Sequence, residues 1–96
     1  MIYGIYVTKE NYDVYADGSK KRTSIAMGWY RDACYDNMKS AKDSLNNANA
    51  SLQDDCYDIV KVNGVTFKGV RYTHYDIKGI APVKLEERIV YHIERR

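Results

Sequence analysis

The sequence predicts an α+β domain in which an antiparallel sheet of about five strands is crossed on one face by a single helix. Three patterns lead to this prediction: alternating apolar residues near both ends, two glycine-containing hairpin signals, and one central apolar stripe with helical spacing. A chain of 96 residues has room for one hydrophobic core, so we expect residues 1–96 to form a single domain.

The first third of the chain is expected to form a β-hairpin. Apolar residues alternate in 1–8 and again in 12–16, which predicts one strand, and 23–30 predicts the returning strand. Between the two strands, the segment 17–19 is a turn signal because its glycine supplies the positive φ that tight turns need. Three basic residues should lie at the hairpin tip or just beyond it: Lys20, Lys21 and Arg22.

The main helix is predicted at residues 33–50, where apolar residues recur at intervals of three and four. Asp32 is a suitable N-cap, and the asparagine-rich stretch 46–51 should end the helix early because asparagine has a low helix propensity. We expect the helix to cover small residues that alternate in the returning strand, although such a stripe could also pair with a second copy. The stripe is Cys34, Met38, Ala41, Leu45, Ala48 and Leu52, and the small residues are Ser24, Ala26 and Gly28.

The last third of the chain is expected to return to strands. Asn63-Gly64 is the strongest short hairpin signal in the sequence, and it should join strands at 57–62 and 65–67. Gly69 allows a bend or a bulge before a further strand at 70–75.

The segment 83–96 fits two structures. Its apolar residues match a strand except at Glu87, and they also match a helix begun by Pro82. The β-branched and aromatic run 89–93 favours the strand.

Composition favours a reduced, cytoplasmic compartment. The N-terminus has no basic region or small-residue cleavage site of the kind found in signal peptides, and no apolar run is long enough to cross a bilayer. A secreted domain of this size would normally carry more than two cysteines. Cys34 and Cys56 are therefore expected to be partly buried free thiols, although a bridge between them stays open.

Candidate chemistry is sparse, so we expect neither an enzyme nor a metal or cofactor site. The possible zinc ligands Cys34, Cys56, His74 and His92 are scattered along the sequence, whereas structural zinc sites usually take ligands from close pairs. A cysteine on an apolar helix stripe would be a poor nucleophile. Adjacent carboxylates point apart on a strand, and no glycine-rich phosphate loop is present.

Tyrosine is the most unusual feature of the composition, with ten tyrosines against one phenylalanine and one tryptophan. Phenylalanine would fill a core without a hydroxyl to satisfy, so repeated tyrosine suggests rings at a boundary with water, as in protein interfaces. The alternative is that tyrosine serves only as a good strand former. We expect a protein-binding inhibitor or adaptor that binds a larger protein. The candidate binding residues are Tyr12, Tyr15, Lys20, Lys21, Arg22, Arg71, Tyr72, His74 and Tyr75.

Other binding functions stay open. The basic hairpin and the Lys and Arg residues of the last third could form a nucleic-acid-binding surface on which neighbouring tyrosines stack bases, but a net charge of +2 is small for that class. These residues are Lys20, Lys21, Arg22, Arg71, Lys78, Lys84, Arg88, Arg95 and Arg96. A homodimer is compatible with the sequence, as is a small-ligand site lined by aromatic rings. The abundance of asparagine, lysine and tyrosine is common in compact proteins of phages and mobile elements. Anti-defence inhibitors such as anti-CRISPR proteins are one expected form of the binding module.

Overall fold

The computed structural model describes residues 1–62, 66–75 and 82–96, and it confirms the α+β class. One sheet holds all five strands, every neighbouring pair is antiparallel, and the strand order is β2-β1-β5-β4-β3. The elements are β1 (Tyr3–Val14), β2 (Lys20–Trp29), α1 (Met38–Asp54), β3 (Asp58–Val62), β4 (Thr66–His74) and β5 (Lys84–Arg95).

The C-terminal strand lies at the centre of the sheet. β5 pairs with β1 along the full length of both strands, from Tyr3 opposite Arg95 to Val14 opposite Lys84. On its other side β5 pairs with β4. The strand prediction for 83–96 is therefore confirmed, and β5 joins the N-terminal hairpin to the β3–β4 hairpin. The predicted Asn63-Gly64 turn lies outside the described residues.

The first hairpin has the predicted turn. Gly18 has a φ of 86°, and the Tyr15 amide donates to the Ser19 carbonyl at 2.9 Å. The Asp17 carboxylate accepts from the Ser19 amide at 2.9 Å. The three basic residues lie just beyond this turn, as one of the two expected placements has it, but β2 already begins at Lys20, three residues earlier than predicted, with Lys20 opposite Val14.

The helix starts and ends later than predicted. Asn37, not Asp32, is the N-cap, and its side chain accepts from the Ser40 amide at 2.8 Å. The helix also continues through the asparagine-rich stretch to Asp54. Tertiary packing outweighs local propensity here, because Leu52 near the end of the helix is buried against the sheet.

The core lies between α1 and one face of the sheet. Gly69 marks the closest approach: a Cβ atom at this position would lie 3.0 Å from Leu52 Cδ1 and 3.0 Å from Ile89 Cγ2. The strand pairing continues past Gly69 without a shift, so the predicted bend or bulge is absent there, and the glycine makes room for the helix instead. The buried cluster contains Ile5, Leu45, Ala48, Leu52, Ile89 and Tyr91.

The helix covers only part of the sheet. It packs on β1, β3, β4 and β5, but within the described residues it makes no contact with β2. The prediction that it covers the small residues Ser24, Ala26 and Gly28 is therefore wrong. The molecule is elongated, 53 × 22 × 21 Å, and every residue of β2 except Gly28 is exposed. Among the described residues, no helix is both long and apolar enough to cross a membrane.

Candidate protein-docking surface

The side of the sheet turned away from α1 is called here the open face. Side chains alternate between the two faces of a strand, and Ile5, Ile89 and Tyr91 lie under the helix. The strand register then places their neighbours in sequence on the opposite side. The open face carries Tyr6, Glu10 and Tyr12 from β1, Lys20, Arg22, Ile25, Met27 and Trp29 from β2, Tyr72 and His74 from β4, and Lys84, Glu86, Arg88 and His92 from β5.

Three large apolar side chains of β2 form an exposed strip on this face. Ile25 is 46% exposed, Met27 63% and Trp29 37%. They alternate along the strand, so all three point to the same side. The strip lies on an edge strand, and α1, the helix of the described ranges, does not pack above it. Single exposed apolar residues are ordinary, whereas a contiguous group is typical of an interaction site.

A row of three aromatic rings continues the strip towards the centre of the sheet. The Tyr6 ring lies 5.3 Å from Trp29 and 5.5 Å from His92, centroid to centroid, with edge-to-face geometry on both sides. The Trp29 ring lies on the backbone of Gly4, where a Cβ atom would come within 2.9 Å of the indole. The Arg96 guanidinium lies 5.0 Å from the same ring. These contacts hold Trp29 in one place although much of it meets water.

A buried carboxylate organises the other half of the open face. Glu86 is only 2% exposed, and three side chains cover it. Lys20 Nζ donates to Oε1 at 2.9 Å and the Tyr72 hydroxyl donates to Oε1 at 2.7 Å, while Arg88 Nε donates to Oε2 at 2.7 Å. The four residues come from β2, β4 and β5, so this Glu86 cluster ties strands across the sheet.

The charged form of Glu86 is strongly favoured. Burial by itself would raise the pKa of this carboxyl group, but the hydrogen bonds from Lys20, Tyr72 and Arg88 outweigh it. The result is a pKa lowered from 4.5 to about 2. The same hydrogen bond raises the pKa of Tyr72, because the Tyr72 hydroxyl can donate to the Glu86 carboxylate only while it keeps its proton. Glu86 is therefore a fixed counter-ion at neutral pH.

Two cation–π contacts flank the cluster. The Arg88 guanidinium lies 4.2 Å from the centre of the Tyr12 ring, and Lys84 Nζ lies 4.4 Å from the centre of the Tyr72 ring. The Tyr12 hydroxyl donates to Glu10, which raises the pKa of Tyr12. Glu10 also pairs with Arg22 at 3.6 Å. Charges of both signs therefore alternate over this half of the face.

The structure brings together five of the nine predicted binding residues on the open face, and it separates the others. Lys21 and Arg71 lie on the opposite side of the sheet, where Arg71 pairs with Glu87 at 2.8 Å and lies 4.3 Å from the Tyr57 ring. Tyr15 and Tyr75 follow the ends of β1 and β4. The five that share the open face are Tyr12, Lys20, Arg22, Tyr72 and His74.

The tyrosine rings largely have the half-exposed environment that was expected. Only Tyr91 is buried; Tyr72 is exposed and the other eight are intermediate. Five hydroxyls nevertheless have acceptors or partners inside the molecule, which leaves them less available to another protein. These five belong to Tyr3, Tyr12, Tyr35, Tyr57 and Tyr72.

The most exposed apolar group, Ile25, Met27 and Trp29, was not among the predicted binding residues. The signal was present in the sequence, since these residues alternate with small ones in β2. An alternating strand is equally consistent with a core strand under a helix. Only the position of β2 at the sheet edge, beyond the helix, distinguishes the two cases.

Both cysteines are exposed and unbridged, so the expectation of partly buried thiols is wrong. Cys34 precedes the helix instead of lying on its buried stripe, and Cys56 follows the helix with a φ of 65°. In the part of the chain that the structure describes, no three His, Cys, Asp or Glu side chains come together in a group that could hold a metal ion.

Fold and surface together define an α+β domain with one helix-covered sheet face and one open face. In comparisons with known proteins, no family model, no curated protein and no solved structure matches this chain. The function is therefore argued from the geometry of the open face.

Proposed function

We propose that this protein is a non-enzymatic binding module that docks onto a larger protein through its open face. The observation that carries the proposal is the strip of Ile25, Met27 and Trp29, which is exposed, contiguous and held on a regular strand. Tryptophan and methionine are enriched in protein interfaces, and tryptophan is frequent among the residues that dominate binding energy.

The surroundings of the strip suit a protein partner. Tyr6 and His92 extend it with rings whose positions are fixed by mutual contact, so little conformational entropy is lost when a partner binds. The Glu86 cluster beside it supplies a polar border in which charges are already paired. An apolar centre with a polar rim is the usual arrangement in protein–protein interfaces.

Nucleic acid has less support as the partner. Four of the basic residues considered for phosphate contacts, Lys20, Arg22, Arg71 and Arg88, each pair with a carboxylate of the chain. A phosphate backbone would have to displace Glu10, Glu86 or Glu87 from these cations, which offsets much of the electrostatic gain. A protein partner requires no such exchange.

A cytoplasmic location is part of this proposal, and the two exposed free thiols, Cys34 and Cys56, are compatible with a reducing compartment. The geometry of the open face supports a way of docking, but it says nothing about the organism or genetic element that encodes the protein. An anti-defence inhibitor of a phage or mobile element therefore stays a prediction from composition.

The test compares two methionines that lie on different parts of the surface. Tagged wild-type protein, Met27→Ser and Met38→Ser are used to capture proteins from an extract of the cells that produce the chain. Met38 is a matched control because it is 40% exposed but lies at the start of α1, away from the open face.

One captured protein should be retained by wild type and by Met38→Ser, and its retention by Met27→Ser should fall about tenfold or more, as expected for an interface anchor. Equal retention on Met27→Ser and wild type would contradict the proposal. Recovery of nucleic acid in place of a protein, with binding that weakens steeply as salt increases, would favour the alternative function.

A further inference from the structure

The outer edge of β2 has a second property besides its apolar side chains. Among the described residues nothing pairs with this edge, although the strand is ten residues long. The other edge of the sheet is the shorter β3, with five residues. A long, exposed edge strand is a template for another strand, and proteins usually protect it with charges, proline or a covering segment. Residues 24–29 contain none of these charges and no proline.

The direction of the backbone groups along this edge follows from one hydrogen bond. The Tyr30 amide donates to the Ile5 carbonyl at 2.7 Å, so Tyr30 and Ile5 form a hydrogen-bonded pair. Such pairs alternate with non-hydrogen-bonded pairs along an antiparallel ladder. Gly28 and Ala26 therefore bond towards β1, and the amide and carbonyl groups of the residues between them point outward. The outward groups belong to Ile25, Met27 and Trp29, the residues of the exposed strip.

We propose that a second copy of this chain occupies the edge, with the two β2 strands antiparallel and the two-fold axis at Met27. The regular part of the strand runs from Ser24 to the bend at Tyr30, because a register shift at Thr23 interrupts the pairing with β1. Met27 is the midpoint of this regular segment. Pairing about it satisfies the outward groups of both copies and joins two five-stranded sheets into one of ten strands.

The side chains are complementary to themselves in this register. Ile25 lies opposite Trp29 of the second copy, an aliphatic–aromatic pair of the kind that stabilises neighbouring strands. On the other side of the sheet Ala26 lies opposite Gly28 of the second copy, so small residues meet small residues without a clash. Both open faces then lie on the same side of the joined sheet, and the two apolar strips become adjacent.

The charge distribution selects the antiparallel arrangement. Lys20, Lys21 and Arg22 occupy the first positions of β2. In a parallel pair these cations would lie beside their own copies and repel one another. In the antiparallel pair the two basic segments are at opposite ends, so this repulsion is avoided. Dimerisation occupies the edge but leaves the open face exposed, so it neither requires nor prevents docking of the larger protein.

The first measurement is the mass of the untagged full chain by sedimentation equilibrium, at protein concentrations from about 5 µM to about 500 µM. This range includes the dissociation constants of weak dimers with small interfaces. The expected result is a mass that rises with concentration towards twice the 11.1 kDa of the chain. A monomer mass over the whole range would overturn the proposal and would leave this edge to a strand of another protein.

A crosslink tests the register. In a background with Cys34→Ser and Cys56→Ser, the variant Met27→Cys places two thiols on the two-fold axis, at the Cα separation of about 5.5 Å that suits a disulfide. The control Ser24→Cys is also exposed. It lies three residues from the axis, which separates its two copies by roughly 20 Å.

Under mild oxidation Met27→Cys should form covalent dimer at least about tenfold faster than Ser24→Cys, because only its thiols meet within disulfide distance. Equal rates, or faster crosslinking of Ser24→Cys, would overturn the register. The cysteine variants replace exposed side chains and leave the backbone of β2 unchanged. The crosslinking result therefore stands even if a variant that blocks strand pairing, such as Met27→Pro, fails to fold.

Discussion

The two faces of the sheet are protected from water in different ways. Under α1, burial is mainly apolar: Ile5, Leu52 and Ile89 pack against one another, Gly69 lets the helix approach closely, and Asn49 is a buried polar residue of the helix. On the open face the most buried side chain is the carboxylate Glu86, shielded by hydrogen-bonding side chains, while Met27 stays exposed. The 17-residue helix α1 does not reach β2, so the part of the open face around Glu86 is shielded by paired charges.

The largest expected effect is on the covered face. Leu52 is 3% exposed and contacts the core, so Leu52→Ala should lower the free energy of unfolding by about 3 kcal/mol through lost transfer energy and a cavity. On the open face Ile25→Ala removes an aliphatic side chain that already meets water, and its effect should stay within about 0.5 kcal/mol. Urea unfolding of both variants measures the difference, and equal losses would mean that the two faces are buried alike.

The second prediction concerns the buried carboxylate. Glu86→Gln leaves Lys20 and Arg88 together without their counter-ion, so unfolding should cost about 2 kcal/mol less at neutral pH. The pKa of Glu86 is about 2 in the folded protein against 4.5 as its ordinary value, so the unfolded chain binds more protons between these limits. The stabilisation is therefore complete above about pH 5 and is lost as the pH falls towards 2.

Denaturant unfolding between about pH 7 and pH 2 tests this dependence, which wild type should show more steeply than Glu86→Gln. Glu94→Gln is the control, since that carboxylate is 47% exposed and pairs only with His92 among the described residues. If wild type and Glu86→Gln lose stability in parallel over this range, the cluster does not stabilise the open face.

The smallest effect is expected at the aromatic row. Gly4→Ala would put a methyl group within 2.9 Å of the Trp29 indole, so the ring should tilt away and its fluorescence maximum should move to longer wavelength. The free energy of unfolding should change by less than about 1 kcal/mol. The close contact destabilises the folded state, but alanine also restricts the unfolded chain more than glycine does, and the two effects offset each other. Gly28→Ala is the control, with nothing within 4 Å of its Cβ position. The same spectral shift in both variants would show that the shift does not come from contact between residue 4 and the Trp29 ring.

Much of the fold could be predicted from local patterns. Alternation placed β1 and β2, the 17–19 segment placed their turn, and the β-branched run in 89–93 favoured the strand that became β5. The helix limits were displaced because capping by Asn37 and burial of Leu52 decided them. The first depends on which of several polar residues adopts the cap geometry, and the second depends on tertiary contact.

The candidate surface could be predicted only in part. Tyr12, Lys20 and Tyr72 were singled out, and they do share one face. Their engagement by Glu86 and Glu10 depends on which strands are neighbours in the sheet, and this does not follow from the order of elements along the chain. Exposure of Met27 has the same origin, since an alternating strand has the same pattern at an edge as in a core.

The Glu86 cluster also has a consequence for how the strands align during folding. A slip of β5 by one residue that brought Leu85 to the position of Glu86 would leave the Lys20 ammonium and the Tyr72 hydroxyl facing an aliphatic side chain, whereas Arg88 would move together with Glu86. Both of these hydrogen bonds to the carboxylate would be lost, at about 1.5–3 kcal/mol for each bond to a charged group, so this misaligned sheet is less stable. One acidic side chain thereby favours the observed alignment of β2, β4 and β5 over this slip.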